Sequence, residues 1–274
     1  MIFCDTHAHL YLEEFRPDAV KVLERAAAAG VRHILLPNID RTSIHPMLTM
    51  IPASNIQHPA SGIQHPVSLF PMIGLHPTSV KKNFREELDI VEEYLDAPEY
   101  CFCAVGEIGI DLYWDKTFRA EQEEAFSRQL DLAIRHDLPV AVHTRNSFDL
   151  AADIIESKKS PGLKGVFHCF GGNIAQAERA VSMGFLLGIG GVITYRNSGL
   201  QQVVAAIGAG HLLLETDAPF LPPVPHRGER NEPSYIPLIA ERIAEIKGLS
   251  LAEVAEITTA NAKGLFRLAP CIPK

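Results

Sequence analysis

Eight short apolar or β-branched segments recur along the 274-residue chain, and amphipathic segments separate them. This alternation is typical of βα units, whose strands pair in parallel. The strand-like segments are Ile2–His7, His33–Leu36, Val67–Gly74, Cys101–Gly106, Pro139–His143, Gly165–His168, Phe185–Gly188 and His211–Glu215. Eight such units in a chain of this length favour a (β/α)8 barrel over an open doubly wound sheet. We therefore predict an α/β fold of the TIM-barrel class.

Helical patterns lie between these strands and after the last one. The clearest are Pro17–Ala29, Phe84–Leu95, Phe118–His136, Asn146–Ser157, Ile174–Met183 and Tyr235–Lys247. A final helix is indicated by Ser250-Leu251-Ala252-Glu253, which fits a capping box. No linker, charge block or change of composition marks a boundary, which predicts a single domain over residues 1–274.

The segment Thr42–Val80 differs from the rest because it has six prolines and no Asp, Glu, Lys or Arg. Within it, Ile56-Gln57-His58-Pro59 recurs as Ile63-Gln64-His65-Pro66. We interpret the segment as a solvated loop insertion between the second helix and the third strand. The alternative is a loop that contacts substrate, since His58 and His65 can form hydrogen bonds.

The charge balance limits the partners of the chain. Lys and Arg number 25 and Asp and Glu 33, so the formal net charge is −8. This weighs against binding nucleic acid by bulk electrostatics, although metal ions can reverse the local sign and allow an acidic enzyme to act on phosphates. No G-x-G-x-x-G follows the first strand, and we predict no organic cofactor.

Membrane and export signals are also missing from the sequence pattern. The longest uncharged hydrophobic stretch, Ala180–Tyr195, is shorter than the roughly 20 apolar residues that a bilayer requires. The first residues have neither the basic region nor the apolar run of a signal peptide. The sequence therefore predicts a cytoplasmic protein with no membrane partner.

Polar residues follow the apolar part of five predicted strands. The carboxyl ends of parallel barrel strands share one face, where active sites form. His7 and His9 are two residues apart and so lie on the same side of an extended chain. The full set is His7, His9, Glu107, His143, His168 and Asp217. Six such ligands exceed one tetrahedral site, which indicates two metals, with the Glu107 carboxylate able to offer one oxygen to each.

Seven motifs extend this pattern over almost the whole chain. They are Asp5-Thr6-His7-Ala8-His9, Gly74-Leu75-His76-Pro77, Val105-Gly106-Glu107-Ile108-Gly109-Ile110-Asp111, His143-Thr144-Arg145, His168-Cys169-Phe170-Gly171-Gly172, Glu215-Thr216-Asp217-Ala218-Pro219-Phe220 and Arg230-Asn231-Glu232-Pro233. In these motifs and their order, the chain resembles the TatD family of metal-dependent hydrolases, a branch of the amidohydrolase-like barrels. The resemblance implies a TIM barrel, two divalent metal ions per subunit and removal of nucleotides from DNA 3′ ends.

The resemblance also implies roles for single residues. It assigns His7, His9, Glu107 and Asp217 to one metal, and Glu107, His143 and His168 to the other. Asp217 and Glu107 would be the catalytic residues. Two cations about 4 Å apart can bind and activate a bridging hydroxide, and Asp217 would accept the proton of the water that forms it. The ligand types leave Mg2+, Mn2+ and Zn2+ open.

Groups outside the metal ligands would bind the phosphodiester. The candidates are Arg145, Arg227, Arg230 and His76, each of which could instead be a solvated charge or a packed side chain. We expect Asp5 to orient His7, and Glu215 to support the site without binding a metal.

The proposed substrate is DNA, as a single strand or a 3′ end, and the reaction is 3′-5′ exonucleolytic hydrolysis. Two alternatives remain at this point. One is hydrolysis of an amide, lactone or aminoacyl ester, including aminoacyl-tRNA deacylation, because an activated hydroxide also attacks carbonyl carbon. The other is a non-catalytic metal or nucleic-acid binding protein that has the same barrel.

Overall fold

The computed structural model describes residues 1–51 and 67–268. The Ile-Gln-His-Pro repeat and its two histidines lie outside the described residues. Within the described ranges, no helix is both long and apolar enough to cross a membrane.

The described residues form one eight-stranded parallel sheet in which each strand pairs with the next along the chain. Its strands are β1 (Phe3–Asp5), β2 (Val31–Pro37), β3 (Ser68–Ile73), β4 (Ala104–Asp111), β5 (Val140–Arg145), β6 (Gly165–Phe167), β7 (Leu186–Ile189) and β8 (Leu212–Leu214). The predicted TIM-barrel fold is confirmed. The prediction for β4 ended too early, because the strand continues through Glu107 to Asp111 with all eight residues buried.

Helices pack around this sheet, and in a parallel barrel they cover the outer face of the strands. In the described chain they are α1 (Ala19–Ala28), α2 (Arg41–Met50), α3 (Phe84–Asp96), α4 (Arg119–Arg135), α5 (Phe148–Ser157), α6 (Ile174–Ser182), α7 (Leu200–Ala206), α8 (Ile236–Lys247) and α9 (Leu251–Phe266). The predicted capping box starts α9, where the Ser250 side chain accepts a hydrogen bond from the Glu253 N–H.

Hydrogen bonds beyond the strand ends connect β8 to β1. The Thr6 N–H donates to the Leu214 carbonyl at 3.0 Å, and the Asp217 N–H donates to the His7 carbonyl at 2.8 Å. The His9 N–H donates to the Ala218 carbonyl at 2.7 Å. Backbone contacts at this junction therefore place the His7-Ala8-His9 segment directly beside Asp217.

The interpretation of Thr42–Val80 as a loop is wrong for the first residues of this segment, because α2 continues to Met50. The Asp40 side chain caps this helix by accepting from the Thr42 N–H at 3.0 Å, and the Ser43 hydroxyl accepts from the Asp40 N–H at 3.1 Å. This reciprocal cap stabilises the first turn, and Pro46 is tolerated inside the helix. The prolines and the absence of charged residues favoured a loop, whereas the Asp40 and Ser43 side chains cap a helix.

Candidate metal centre

A cavity of about 1040 Å³ opens at the carboxyl ends of the barrel strands. Five of the six predicted ligands line it: His9, Glu107, His143, His168 and Asp217. The sixth, His7, is fully buried and lies against Glu107. Strand ends that are far apart in sequence thus bring all six predicted ligands together.

Glu107 lies at the centre of the cluster and directs its two carboxylate oxygens to different histidines. Its Oε2 lies 3.0 Å from His7 Nε2 and 3.6 Å from His9 Nε2. Its Oε1 lies 2.8 Å from His143 Nδ1 and 3.0 Å from His168 Nε2. One carboxylate therefore separates two groups of imidazole nitrogens.

Asp217 lies beside the two histidines that contact Glu107 Oε2. Its Oδ1 lies 3.6 Å from His9 Nε2 and 3.9 Å from His7 Nε2. The residue has a φ of 58°, in the left-handed region that aspartate adopts more readily than most residues. This backbone turn directly after β8 lets the carboxylate face the two histidines of β1.

His143 is oriented from behind by Asp111. Its Nε2 lies 3.1 Å from Asp111 Oδ2, and its Nδ1 faces Glu107. Burial alone would lower the pKa of His143, but the hydrogen bonds to Asp111 and Glu107 raise it. A cation bound beside Nδ1 would take the place of the proton there, while Asp111 would keep the proton on Nε2. A Cβ at Gly109 would collide with the His143 carbonyl, and this glycine has a φ of 142°, so no other residue fits the approach of β4 to β5.

His9 has the same arrangement with a different acceptor. Its Nδ1 lies 2.9 Å from the Tyr11 hydroxyl, which itself donates to the Pro37 carbonyl at 2.6 Å. The hydroxyl proton is committed to Pro37, so the Tyr11 oxygen accepts from His9 Nδ1–H. The Nε2 of His9 faces Glu107 and Asp217.

His168 has a carboxylate behind it as well. Its Nδ1 lies 3.4 Å from Glu215 Oε1, close enough for an electrostatic contact but without the alignment of a hydrogen bond. A Cβ at Gly188 would collide with the Glu215 carboxylate, so this glycine makes room for it. Glu215 is fully buried and favours a proton on Nδ1, which leaves Nε2 available to a metal.

His76 differs from these three histidines. Its Nδ1 accepts from the Thr78 N–H at 3.2 Å and contacts the Thr78 hydroxyl at 2.6 Å. Burial lowers the pKa of His76, so the ring is neutral and its single proton is on Nε2, 3.2 Å from Glu107 Oε1. His76 therefore directs an N–H donor towards Glu107 and is held from behind by Thr78 instead of by a carboxylate.

Asp5 fastens the first strand to the loop after the last one. Its carboxylate accepts from the His7 N–H at 3.3 Å, from the Thr216 N–H at 2.9 Å and from the Thr216 hydroxyl at 2.6 Å. Burial raises the pKa of Asp5 to about 7. The carboxylate binds the His7 backbone, while His7 Nδ1 is buried with no hydrogen-bond partner among the described residues.

The cluster is set up to attract cations. Burial alone would raise the pKa of Glu107, but His168, His76, His7 and His143 reverse this effect and hold the pKa well below its usual range. The same competition lowers the pKa of Asp217, since its neighbouring histidines outweigh burial. Both carboxylates are therefore charged at neutral pH.

Three groups of donors in the described chain are compact enough to hold an ion: His7 with His9 and Asp217, His7 with His168 and Glu215, and His76 with Glu107 and His143. Imidazole and carboxylate suit borderline divalent cations. Four imidazole nitrogens within 3.6 Å of one buried carboxylate fit a metal centre better than a purely structural cluster.

Comparisons with known proteins identify the family of this chain. The profile of the family described as TatD related DNase matches residues 4–267. The chain belongs to the TatD family. The metal-dependent hydrolase YabD of Bacillus subtilis is 38% identical over 269 residues, which cover 98% of this chain and all of YabD.

Two further relatives span nearly the whole chain. A Pectobacterium parmentieri protein named 3′-5′ ssDNA/RNA exonuclease TatD is 30% identical over 271 residues, or 97% of this chain and 99% of its own length. The crystal structure of YjjV, a TatD homologue from Escherichia coli, superposes with a TM-score of 0.86 at 33% identity and covers 97% of this chain and 98% of YjjV. The protein is thus a TatD-type metal-dependent hydrolase.

Of the four predicted substrate-binding residues, two line the cavity of this TatD family member and two do not. His76 and Arg145 line the cavity. Arg230 donates to both oxygens of Asp18, at 2.7 and 2.9 Å, and Arg227 lies over the Tyr195 ring at 4.5 Å. Neither Arg227 nor Arg230 is among the residues that line the cavity.

The sequence analysis assigned no role to Asp111 or Tyr11, although Asp111 contacts His143 and Tyr11 contacts His9 in the cluster. Spacing gave a signal only for Asp111, which lies four residues after Glu107 in the same strand and therefore on the side of the site. Tyr11 lies in a turn, where even spacing does not predict the direction of a side chain.

Proposed function

We propose that this protein is a two-metal phosphodiesterase that removes nucleotides from the 3′ ends of single-stranded DNA. The observation that carries the proposal is the division of the Glu107 carboxylate between two groups of donors. The name of the Pectobacterium relative supports the choice of substrate.

The proposed metal ligands are His7, His9, Glu107 and Asp217 for one cation and Glu107, His143 and His168 for the other. Divalent cations bound there would lower the pKa of water and draw charge from a phosphoryl oxygen. Asp217 is charged and partly open to the cavity, so its carboxylate can accept a proton from the attacking water.

His76 and Arg145 supply positive or donor groups for the phosphate. The Nε2–H of His76 points at the cluster and can donate to a non-bridging oxygen. The Arg145 guanidinium contacts the Tyr113 and Trp114 rings, and no carboxylate pairs with it in the described part of the chain. It is therefore available to bind a phosphate.

The test is hydrolysis of a 5′-labelled single-stranded oligonucleotide with Mg2+, Mn2+ or Zn2+, and with EDTA as the control. We expect a ladder that shortens from the 3′ end and that EDTA abolishes. Asp217→Asn should lower turnover by about 1,000-fold or more, because loss of one member of a catalytic group removes most of the rate enhancement. The melting temperature should be unchanged.

The exposed Glu256→Gln substitution on α9 is the matched control and should leave turnover unchanged. Two results would contradict the proposal. One is near wild-type turnover in Asp217→Asn with metal present. The other is an absence of chelator-sensitive DNA hydrolysis together with hydrolysis of a lactone or an aminoacyl ester.

A further inference from the structure

Two large aromatic side chains are exposed beside the metal centre. Trp114 is 69% exposed and Tyr113 is 53% exposed, although both residues follow the fully buried strand β4. Their rings meet edge to face with centroids 4.9 Å apart. Exposure of adjacent aromatic residues at the mouth of a cavity is typical of a surface that binds a ligand.

Trp114 lies on the wall of the cavity that contains the proposed metal ligands. At about 1040 Å³, this cavity is at the upper end of the range of small-molecule sites, roughly 300–1,000 Å³. It has room for considerably more than a single phosphate. A substrate held at Glu107 can therefore extend along the wall to Trp114.

Arg145 is held between the two aromatic residues and the cavity. Its guanidinium carbon lies 4.1 Å from the Tyr113 ring centre and 5.2 Å from the Trp114 ring centre. Stacking on Tyr113 fixes the plane of the guanidinium and leaves its N–H groups free to bind phosphate. A cation and an exposed aromatic face are thus adjacent, as in sites for single-stranded nucleic acids.

Asp111 connects this aromatic loop to the metal centre. Its Oδ1 accepts from the Tyr113 N–H at 2.8 Å and from the Trp114 N–H at 3.2 Å, and its Oδ2 holds His143. Asp111 is buried, with 2% of its surface exposed. The same carboxylate therefore fixes the position of Trp114 relative to a metal-facing histidine.

From this arrangement, we propose that Trp114 is a stacking platform for an unpaired base of the substrate, next to the phosphate that Arg145 binds. The inference rests on the proposed nuclease function and names a residue that would recognise its single-stranded substrate. A base offers its face to a side chain only when it is unstacked from its neighbours. The platform therefore selects single strands and frayed ends over intact duplex.

The chain supplies its own probe, because Trp114 is its single tryptophan. A phosphorothioate hexathymidylate, which resists cleavage, is titrated with Mg2+ present while intrinsic fluorescence is recorded. The matched ligand is the same backbone with abasic residues. We expect quenching by the hexathymidylate and little change with the abasic strand, since only the base can stack.

Kinetics give a second measurement on the same residue. Loss of base stacking in Trp114→Ala should raise KM for single-stranded DNA by roughly 10-fold or more and leave kcat nearly unchanged. The preference of the wild type for normal over abasic strands should also disappear. Trp114→Phe should keep a KM near that of the wild type and most of the preference for normal strands. The control is Tyr100→Ala, which removes an exposed aromatic side chain before the amino end of β4 and should change neither KM nor this preference.

The outcomes separate this inference from the proposed function. Chelator-sensitive hydrolysis with no fluorescence change and an unaltered KM in Trp114→Ala overturns the platform and leaves the nuclease proposal intact. Base-dependent quenching without hydrolysis supports the platform and overturns the nuclease proposal. If neither chelator-sensitive hydrolysis nor base-dependent quenching is observed, both the platform and the nuclease proposal are overturned.

Discussion

The two sides of the barrel mouth both have arginines, but these have different environments. On the β5 side, Arg145 lines the cavity beside exposed aromatic residues, and no carboxylate of the described chain pairs with it. On the β8 side, Arg230 forms a two-pronged ion pair with Asp18 before α1. The difference is the reason that we propose a phosphate contact for Arg145, whose guanidinium is unpaired among the described residues, and none for Arg230.

Of the residues on these two sides of the mouth, Asp111 is expected to give the largest effect, because it contacts both His143 and the backbone of Tyr113 and Trp114. Asp111→Asn removes a carboxylate acceptor from His143 but can still accept from the backbone N–H groups. We expect metal affinity to fall by about 10- to 100-fold, as for other partners of metal-binding histidines. Isothermal titration with Mn2+ measures this.

Asp111→Ala is the companion variant and should also impair base-dependent quenching of Trp114, because the loop loses both hydrogen bonds. Unchanged Mn2+ affinity in Asp111→Asn, with an intact fold by circular dichroism, would show that Asp111 does not orient a ligand.

Removal of the Arg145 side chain should have the next largest effect. A hydrogen bond to a charged group contributes about 1.5–3 kcal/mol, so kcat/KM on single-stranded DNA should fall by about 10- to 100-fold in Arg145→Ala. The dependence of log(kcat/KM) on log[NaCl] should also become shallower by about 0.7, which is the loss of one phosphate contact. Arg145→Lys should restore the salt dependence but not the full rate. A wild-type salt dependence in Arg145→Ala would exclude a phosphate contact.

Arg230→Ala should have the smallest effect on activity and a measurable effect on stability. Its ion pair with Asp18 is two-pronged and partly buried, so we expect a loss of about 1 kcal/mol of unfolding free energy and a melting temperature about 2–4 °C lower. The value of kcat/KM on DNA should stay within about twofold of wild type. A large loss of activity at unchanged stability would instead place Arg230 at the substrate.

The barrel and the ligand cluster could be predicted because each rests on a local pattern. In the sequence, apolar segments followed by His7, His9 and Glu107 indicate both the strand period and the face on which the cluster forms. The length of β4 was harder to predict, since Glu107 and Asp111 are buried polar residues inside a strand. Their burial is stabilised by His143, which is distant in sequence.

The candidates for substrate binding could not be ranked from sequence, because the environment of each side chain depends on partners elsewhere in the fold. The sequence gives no sign that Asp18 pairs with Arg230, 212 residues away. Likewise, the donor role of His76 follows from the Thr78 N–H on the other side of its ring. Such assignments require the tertiary arrangement of hydrogen-bond donors and acceptors.

The central claim is that the two oxygens of Glu107 serve two separate cations. Anomalous diffraction from crystals soaked in Mn2+ tests it directly. We expect two peaks, one near Glu107 Oε2, His9 and Asp217 and the other near Glu107 Oε1 and His168. A single peak, or two peaks of which one lies away from the Glu107 carboxylate, would contradict it.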